Sequence, residues 1–446
     1  MIFSELSDRF EYSFLLESAK EPERSSRYIL LGFEPHWVFK ASEGGVIIED
    51  RACEKIYAER TKDPLQFLKG LLQIGGALEG PAHFVGGAVG YISYDSTRYW
   101  EGIPQGGFKD PGFPDMEFAI YDDFIMFDRY NGKAFYCYLR EDRSDELNDI
   151  IKLHGIGELS HSEPKRNMTY DEFEKIVMKA KEYIASGDIF QVVLSKRFEF
   201  RVDGDLLKFY TILREINPSP YMYFLKMSDR RIIGSSPEML MKVEGKFVET
   251  FPIAGTRPRS SCPWEDQRLS RELMEDEKER AEHVMLVDLA RNDIGKVSKF
   301  GSVRVLEFMK VHKYSRVQHI VSRVIGELRE DKDSFDALKA LFPAGTVSGA
   351  PKRRAMEIIE ELEPIGRGPY AGAIGYFSYN GNADFAITIR TLLVEGNRCY
   401  VQAGAGIVAD SDPKKEWFET EHKASALLEA LELSSRSDPH EGFGHR

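Results

Sequence analysis

Two pairs of glutamates offer the first chemistry in this chain. Glu279 and Glu282 lie in "DEKERAEHVMLVDLARND"; Glu416 and Glu419 lie in "DPKKEWFETEHKASALL", with Lys423 one turn further on. Each pair is spaced i, i+3, which puts both carboxylates on one face of a helix. Like charges at that spacing repel unless a cation or water screens them. Carboxylate oxygens suit Mg2+, which keeps several waters and often bridges to an anionic ligand. Two solvated surface faces are the competing reading, the usual outcome for charge runs. A di-iron carboxylate bundle would need Glu-x-x-His on two helices. Glu419 and His422 fit that once, but Glu282 stands where the second histidine would follow Glu279.

The stretch "FPAGTVSGAPKRR" (342–354) has the look of a phosphate cradle. It fails the P-loop test, because Gly345 is followed five residues later by Ala350 and Lys352 comes after Pro351. "GTVSG" is not a G-x-S-x-G elbow, so Ser348 is a poor nucleophile. What remains is a loop of backbone N–H groups with Thr346 and Ser348 at a helix start, suited to a small anion or an oxygen-rich ligand. An ordinary tight turn is the alternative. Two sister stretches, "FPIAGTRPR" (251–259) and "VQAGAGIVADSDP" (401–413), share its character. Each runs from an apolar strand into small residues and glycine, as backbones converging on one compact ligand would. Lys352 sits at the start of the following helix, with no role that its spacing assigns.

The elements that must position these groups can be read along the chain. Residues 1–153 read as strands and turns, with helical spacing in "DPLQFLKGLLQI", where Phe67, Leu68, Leu71 and Leu72 share a stripe. The segment 154–167 is rich in Gly, Ser and Pro and is the linker candidate. Thr169 and Glu172 form a capping box, Phe173 to Ile184 follow at helical spacing, and Gly187 ends the helix. "IFQVVLSKRFEF" (189–200) reads as a strand. Asp412 and Pro413 open a helix through about Leu433, and 434–446 reads as a flexible tail. "GGAVGYISYD" (86–95) and "AGAIGYFSYN" (371–380) echo one another and suggest a duplicated half, although Gly-rich strands can look alike by composition. The expected fold is α+β, with largely antiparallel sheets packed as a sandwich and helices around them.

Composition narrows the classes. The chain has 446 residues, enough for two domains or one large one, and 42% are hydrophobic, so a sizeable core is available. The net charge of −13 argues against a nucleic-acid binder. No apolar run approaches about 18 residues, so no membrane span is expected. "MIFSELSDRFEYSF" lacks an apolar signal core. Cys53, Cys137, Cys262 and Cys399 have no CxxC or metal spacing and read as reduced thiols of a cytoplasmic protein.

Taken together, the motifs resemble the chorismate-utilising enzymes, and within them component I of anthranilate synthase. The resemblance rests on "DIFQVVLSKRF", "NPSPYMYF", "SSPEML", "PIAGTRPR", "DEKERAEHVMLVDLARNDIGKV", "HKYSRVQHIVSRVIGEL", "FPAGTVSGAPKRRAMEIIEELEP", "RGPYAGAIGYFSYNGN" and "VQAGAGIVADSDPKKEWFETEHKA". These run in family order from about 170 to 430, and the first third matches through "LLES", "RYILLGFEP" and "GGAVGYISYD". The resemblance implies a regulatory and structural region at 1–153 and a chorismate-binding catalytic domain at 168–433. It implies that ammonia adds to the chorismate ring as the ring hydroxyl leaves, that pyruvate is then eliminated, and that Mg2+ is required.

The resemblance also implies residue roles. Glu282 and Glu419 would ligate Mg2+ directly, with Glu279 and Glu416 acting through water. Tyr370 and Arg390 would clamp the pyruvyl carboxylate, since Arg suits a planar anion. Gly404, Ala405 and Gly406 would offer backbone N–H groups, and Lys423 a nearby charge. Gly255 and Thr256 would line the ring. Glu238 would be the acid at the leaving hydroxyl, His319 would assist pyruvate loss, and Thr346 would orient ring substituents. Isochorismate and salicylate synthases typically carry a lysine base where this chain has Gln191, which lines the site but cannot deprotonate water. Aminodeoxychorismate synthases typically read "PIKGT", with a nucleophilic lysine where this chain has Ala254, and tend towards "GGSITGAPK" in the later loop. These differences favour anthranilate, with aminodeoxychorismate synthase component I as the alternative. No cysteine has a glutaminase context, so a separate glutamine amidotransferase subunit, component II, would supply ammonia. Ser18, Pro220, Tyr221 and Met222 match a tryptophan feedback site, against the reading of a strand packed on a proline turn.

Overall fold

The computed structural model describes residues 2–18, 27–72, 80, 83–103, 112–150, 155–314 and 317–436. Two sheets of 12 strands each organise them, and every pairing between strands is antiparallel among the described residues. The sheets stack face to face. Phe14 of the first meets Tyr121 of the second edge-on at 4.8 Å between ring centroids. Tyr91, Tyr223, Ile374 and Leu393 fill the same layer. Helices Leu206–Ile216 and Pro413–Ser434 cover the outer face of the first sheet, whereas Pro64–Leu72 and Ser334–Leu341 cover that of the second. Alternation of side chains along each strand supplies both faces, so one sandwich carries three apolar layers.

The suspected duplication is visible in the strand order. From its centre, the first sheet runs Tyr12–Glu17, Tyr28–Phe33, Asp123–Asp128, Lys133–Tyr138 to one side. To the other it runs Tyr221–Met227, Arg230–Ser236, Thr391–Glu395, Arg398–Ile407. The second sheet runs Gly87–Ile92, Met116–Tyr121, Trp37–Ser42, Gly45–Asp50, Lys55–Arg60 to one side. To the other it runs Ala373–Ser378, Ala383–Ile387, Met239–Glu244, Phe247–Thr250, Val317–Glu327. Numbered along the chain within each half, and leaving out the added strands Ile253–Pro258, Arg304–Lys313 and Gly349–Ala350, both halves give the same order: one, two, eight, nine in the first sheet and six, seven, three, four, five in the second. The echoed segments meet at the centre, with Gly90 opposite Gly375. The same sterics demand glycine in both. A Cβ at Gly90 would lie 2.0 Å from the Glu117 carbonyl, and one at Gly375 would lie 2.0 Å from that of Asp384.

The halves differ at the helix that carries Glu279 and Glu282. Between their fourth and fifth strands the N-terminal half has only the turn 51–54, whereas the C-terminal half inserts 251–316 with helices Pro263–Glu275 and Glu277–Gly295. The strand Gln191–Gly204 extends the first sheet beyond Arg398–Ile407. The boundary expected at 154–167 does not separate the sheets, because both contain strands from either side of it. Leu159–His161 and Lys165–Arg166 themselves pair with Gln191–Gly204. Helix ends follow their caps. Thr169 and Glu172 close a capping box on Tyr170–Ala185, and Asp412 caps Pro413–Ser434. That helix runs one residue into the expected tail, whose residues 437–446 lie outside the described ones.

Candidate active site

Two capped helices carry the glutamate pairs. The side chain of Asp276 accepts from Lys278 N and Glu279 N, starting helix Glu277–Gly295 on the edge of the second sheet. Helix Pro413–Ser434 lies on the first sheet beside strand Arg398–Ile407. Their carboxylates feel one another across the gap. Burial pushes the Glu282 carboxyl up, and Glu279 and Glu419 add to the shift. Burial does the same to Glu416, again with Glu419 adding. Each carboxylate has an internal partner: Gln191 Nε2 donates to Glu282 at 3.2 Å and Arg257 Nη1 to Glu279 at 3.2 Å. Lys423 Nζ pairs with Glu419 at 2.7 Å, and the Ser411 side chain bonds Glu416. Among the described residues, no three His, Cys, Asp or Glu side chains are drawn together as a formed metal cluster. The donor set nevertheless fits Mg2+, because hard oxygens predominate and the acids that repel one another have too little positive charge between them.

Strand Arg398–Ile407 brings the second group. Gly404, Ala405 and Gly406 stand opposite Ser195, Leu194 and Val193. The neighbouring strand Thr391–Glu395 pairs only as far as Val401, so among the described residues the far side of 404–406 has no strand beside it. Lys423 Nζ donates to the Gly404 carbonyl there at 2.9 Å, and Arg390 Nη1 donates to the Lys423 carbonyl at 2.6 Å. Burial lowers the Arg390 pKa, opposed by Tyr370 and Glu419. The side-chain amide oxygen Oε1 of Gln191 is buried without a partner, an acceptor that a ligand donor would satisfy. A Cβ on Gly404 would lie 2.8 Å from Tyr370 Oη and 2.9 Å from Val193 Cγ1. Gly404→Ala is therefore expected to push Tyr370 off the strand and raise KM for chorismate about tenfold or more, with a smaller change in kcat; steady-state kinetics checks this.

Glu238 and Thr346 form the third group. Glu238 is 8% exposed, and Thr346 Oγ1 donates to it at 2.8 Å. Burial raises its pKa from 4.5 to about 8, against the opposing effects of Thr346 and Lys423. The carboxyl is therefore a protonated acid near neutral pH. The pair sits at the wall of a small pocket of about 40 Å³, lined also by Leu286, Leu289 and Asp293. His319 Nδ1 is engaged by the Gly255 carbonyl at 2.8 Å and Thr256 Oγ1 at 3.1 Å. A Cβ on Gly255 would lie 3.1 Å from Glu279, which joins this loop to the glutamate helix.

Lys423 links these groups: it bonds Glu419 and the Gly404 carbonyl and acts on Glu238 through its charge. Ser18, Pro220, Tyr221 and Met222 gather elsewhere, at the centre of the first sheet. Glu17 stands opposite Met222, Arg129 Nη1 donates to the Ser18 carbonyl, and Tyr221 Oη donates to Asp384 at 2.9 Å. The spacing assigns no role to three cations that the structure ties to these groups. Arg257 ties Glu279 to Asp276. Arg367, 1% exposed, donates to the carbonyls of Val193 and Val347, each at 2.7 Å, and pairs with Glu363. Lys352 bonds Asp293 and Leu341. All three lie inside the motifs quoted above, but only long-range contacts disclose what they hold.

The family model described as chorismate binding enzyme matches residues 11–429. Anthranilate synthase component 1 of Methanothermobacter thermautotrophicus is 48% identical over 435 residues, covering 97% of this chain and 92% of the relative. Aminodeoxychorismate synthase component 1 of Bacillus subtilis is 43% identical, covering 97% and 94%. The crystal structure of anthranilate synthase component I from Streptococcus pneumoniae superposes with a TM-score of 0.82 at 39% identity, covering 92% of this chain and 93% of that one. With the network of carboxylates, glycine-rich backbone and buried acid already in place, the chain belongs to the chorismate binding enzymes.

Proposed function

We propose that the chain is an anthranilate synthase component 1, converting chorismate and ammonia to anthranilate and pyruvate in tryptophan biosynthesis. The observation that carries this reading is full-length likeness to relatives of that name, at 48% identity, with the aminodeoxychorismate synthase at 43%. Two positions support it. Gln191 bonds Glu282 where a water-adding sister would need a lysine base, and Ala254 offers no nucleophile. In this reading Glu238 gives its proton to the departing ring hydroxyl as ammonia adds to the ring. His319, oriented through Nδ1, assists loss of pyruvate. Tyr370 and Arg390 hold the pyruvyl carboxylate.

Mg2+, held by Glu282 and Glu419 with Glu279 and Glu416 acting through water, would supply charge to bind the ring carboxylate. Ammonia would come from a glutamine amidotransferase subunit, since Cys53, Cys137, Cys262 and Cys399 lack a glutaminase setting. Tryptophan would inhibit through Ser18, Pro220, Tyr221 and Met222. Four free thiols support a cytoplasmic setting. No described helix is long and apolar enough to cross a membrane.

Incubation with chorismate, Mg2+ and an ammonium salt tests the reaction: fluorescent anthranilate should appear. Accumulation of 4-amino-4-deoxychorismate would make the chain an aminodeoxychorismate synthase component 1 instead. Glutamine hydrolysis by the purified chain alone would remove the partner, and calorimetry without tryptophan binding would remove the feedback.

A further inference from the structure

We propose that Lys352 is a positioning residue for the reaction: it ties both ends of the 342–351 loop to helix Glu277–Gly295 and so holds Thr346 against Glu238. The loop joins helix Ser334–Leu341 to helix Lys352–Leu362. Lys352 is the first residue after it, yet its Nζ donates to the carbonyl of Leu341, the last residue before it, at 3.0 Å. One ammonium therefore closes the loop at its base and satisfies a carbonyl at a helix C-terminus.

The same Nζ donates to Asp293 Oδ2 at 2.6 Å, with the two side chains 10% and 7% exposed. Asp293 lies on the glutamate helix, eleven residues beyond Glu282. A second contact seats the loop on that helix. A Cβ on Gly345 would lie 2.2 Å from Leu289 Cδ2, so the backbone packs directly on the leucine. Thr346 follows at once and donates to Glu238 at 2.8 Å. Glu238, Thr346, Leu289 and Asp293 line the same cavity, so the staple and the acid share one wall. A compact ammonium with three donors can serve both acceptors at this buried position, which the broader guanidinium fork would not match.

The inference rests on Glu238 acting as the proposed acid, and the test separates the two. Lys352→Met and Thr346→Val are compared singly and combined, over a pH series, with ammonium as the nitrogen source. Each single change should lower kcat about tenfold or more, with KM for chorismate within about threefold, as a misplaced catalytic group would. Each should move the alkaline limb of the rate profile to higher pH, because Glu238 loses a hydroxyl donor that favours its charged form. The double variant should be no slower than Lys352→Met within about twofold, since both changes remove one interaction.

Lys352→Met/Asp293→Leu replaces the buried pair with apolar side chains and keeps the test open if Lys352→Met fails to fold. It should fold and melt near the parent temperature, yet retain the kcat loss and the shifted limb. Parental kcat in this variant, or additive losses with an unmoved limb, would overturn the positioning role while leaving the Glu238 reading intact. A Thr346→Val enzyme with parental kcat and pH profile would overturn both.

Discussion

Glu238→Gln is expected to lower kcat about 10²–10⁴-fold, the usual contribution of a positioned general acid, and at the same time to stabilise the protein above neutral pH. The two effects share one cause. The Glu238 carboxyl is 8% exposed, and burial raises its pKa from 4.5 to about 8. The folded protein therefore keeps this proton across a window in which the unfolded chain releases it. A group that binds its proton more tightly when folded loses stability as pH rises through that window. The penalty is absent below about 4.5, grows between 4.5 and 8, and is complete above 8. Glutamine carries no such penalty, and its amide oxygen can still accept from Thr346. The variant should match the parent near pH 5 and exceed it near pH 9 by a margin on the order of a few kcal/mol, read by denaturant unfolding at both pH values.

The activity of the parent should follow the same titration. With rates referred to free ammonia, kcat should hold below pH 8 and fall about tenfold per unit above it, as the acid form is lost. The residual rate of Glu238→Gln should lack that limb. A variant with more than about a tenth of parental kcat would show that the proton reaches the leaving hydroxyl from another group.

Local chemistry was legible in the sequence. The i, i+3 carboxylates, the Thr169 capping box and the Asp412–Pro413 helix start each depend on residues within one turn of one another, and the structure has them where the spacing implies. The echo at 86–95 and 371–380 disclosed the duplication because the same carbonyl crowding demands glycine in both copies. Strand order was not legible. Neighbours such as Gln191–Gly204 and Arg398–Ile407 lie about 200 residues apart, and no local period records their pairing. For the same reason the apparent linker failed as a spatial boundary. Its composition is that of a loop, but two of its segments add to the edge of the first sheet. The roles of three cations were not legible. Arg257, Arg367 and Lys352 look like ordinary charges in sequence, and only their long-range pairing with Glu279, Glu363 and Asp293, buried for the last two, shows what they hold.

Glu419→Gln should abolish most activity, at least about 10²-fold, without unfolding the protein. Replacing a residue that only supports a metal ligand typically costs 10–100-fold, and the proposed role of Glu419 is direct ligation. Its side chain is 47% exposed, and its ion pair with Lys423 joins residues one helical turn apart. Pairs of that kind are worth at most about 1 kcal/mol, so the melting temperature should move little. Lys423 keeps its bond to the Gly404 carbonyl, which holds this turn of the helix against the strand. Glu282→Gln makes the contrasting case, because Glu282 is an acid whose carboxyl is pushed up by burial and by Glu279 and Glu419. Removing its charge should leave stability unchanged or raised while activity falls as steeply. The Mg2+ concentration for half-maximal rate should rise in both variants, and a direct calorimetric Mg2+ titration should weaken in parallel. Parental Mg2+ affinity in both variants would remove the two residues from the metal site and return the glutamate pairs to the solvated faces that charge runs ordinarily form.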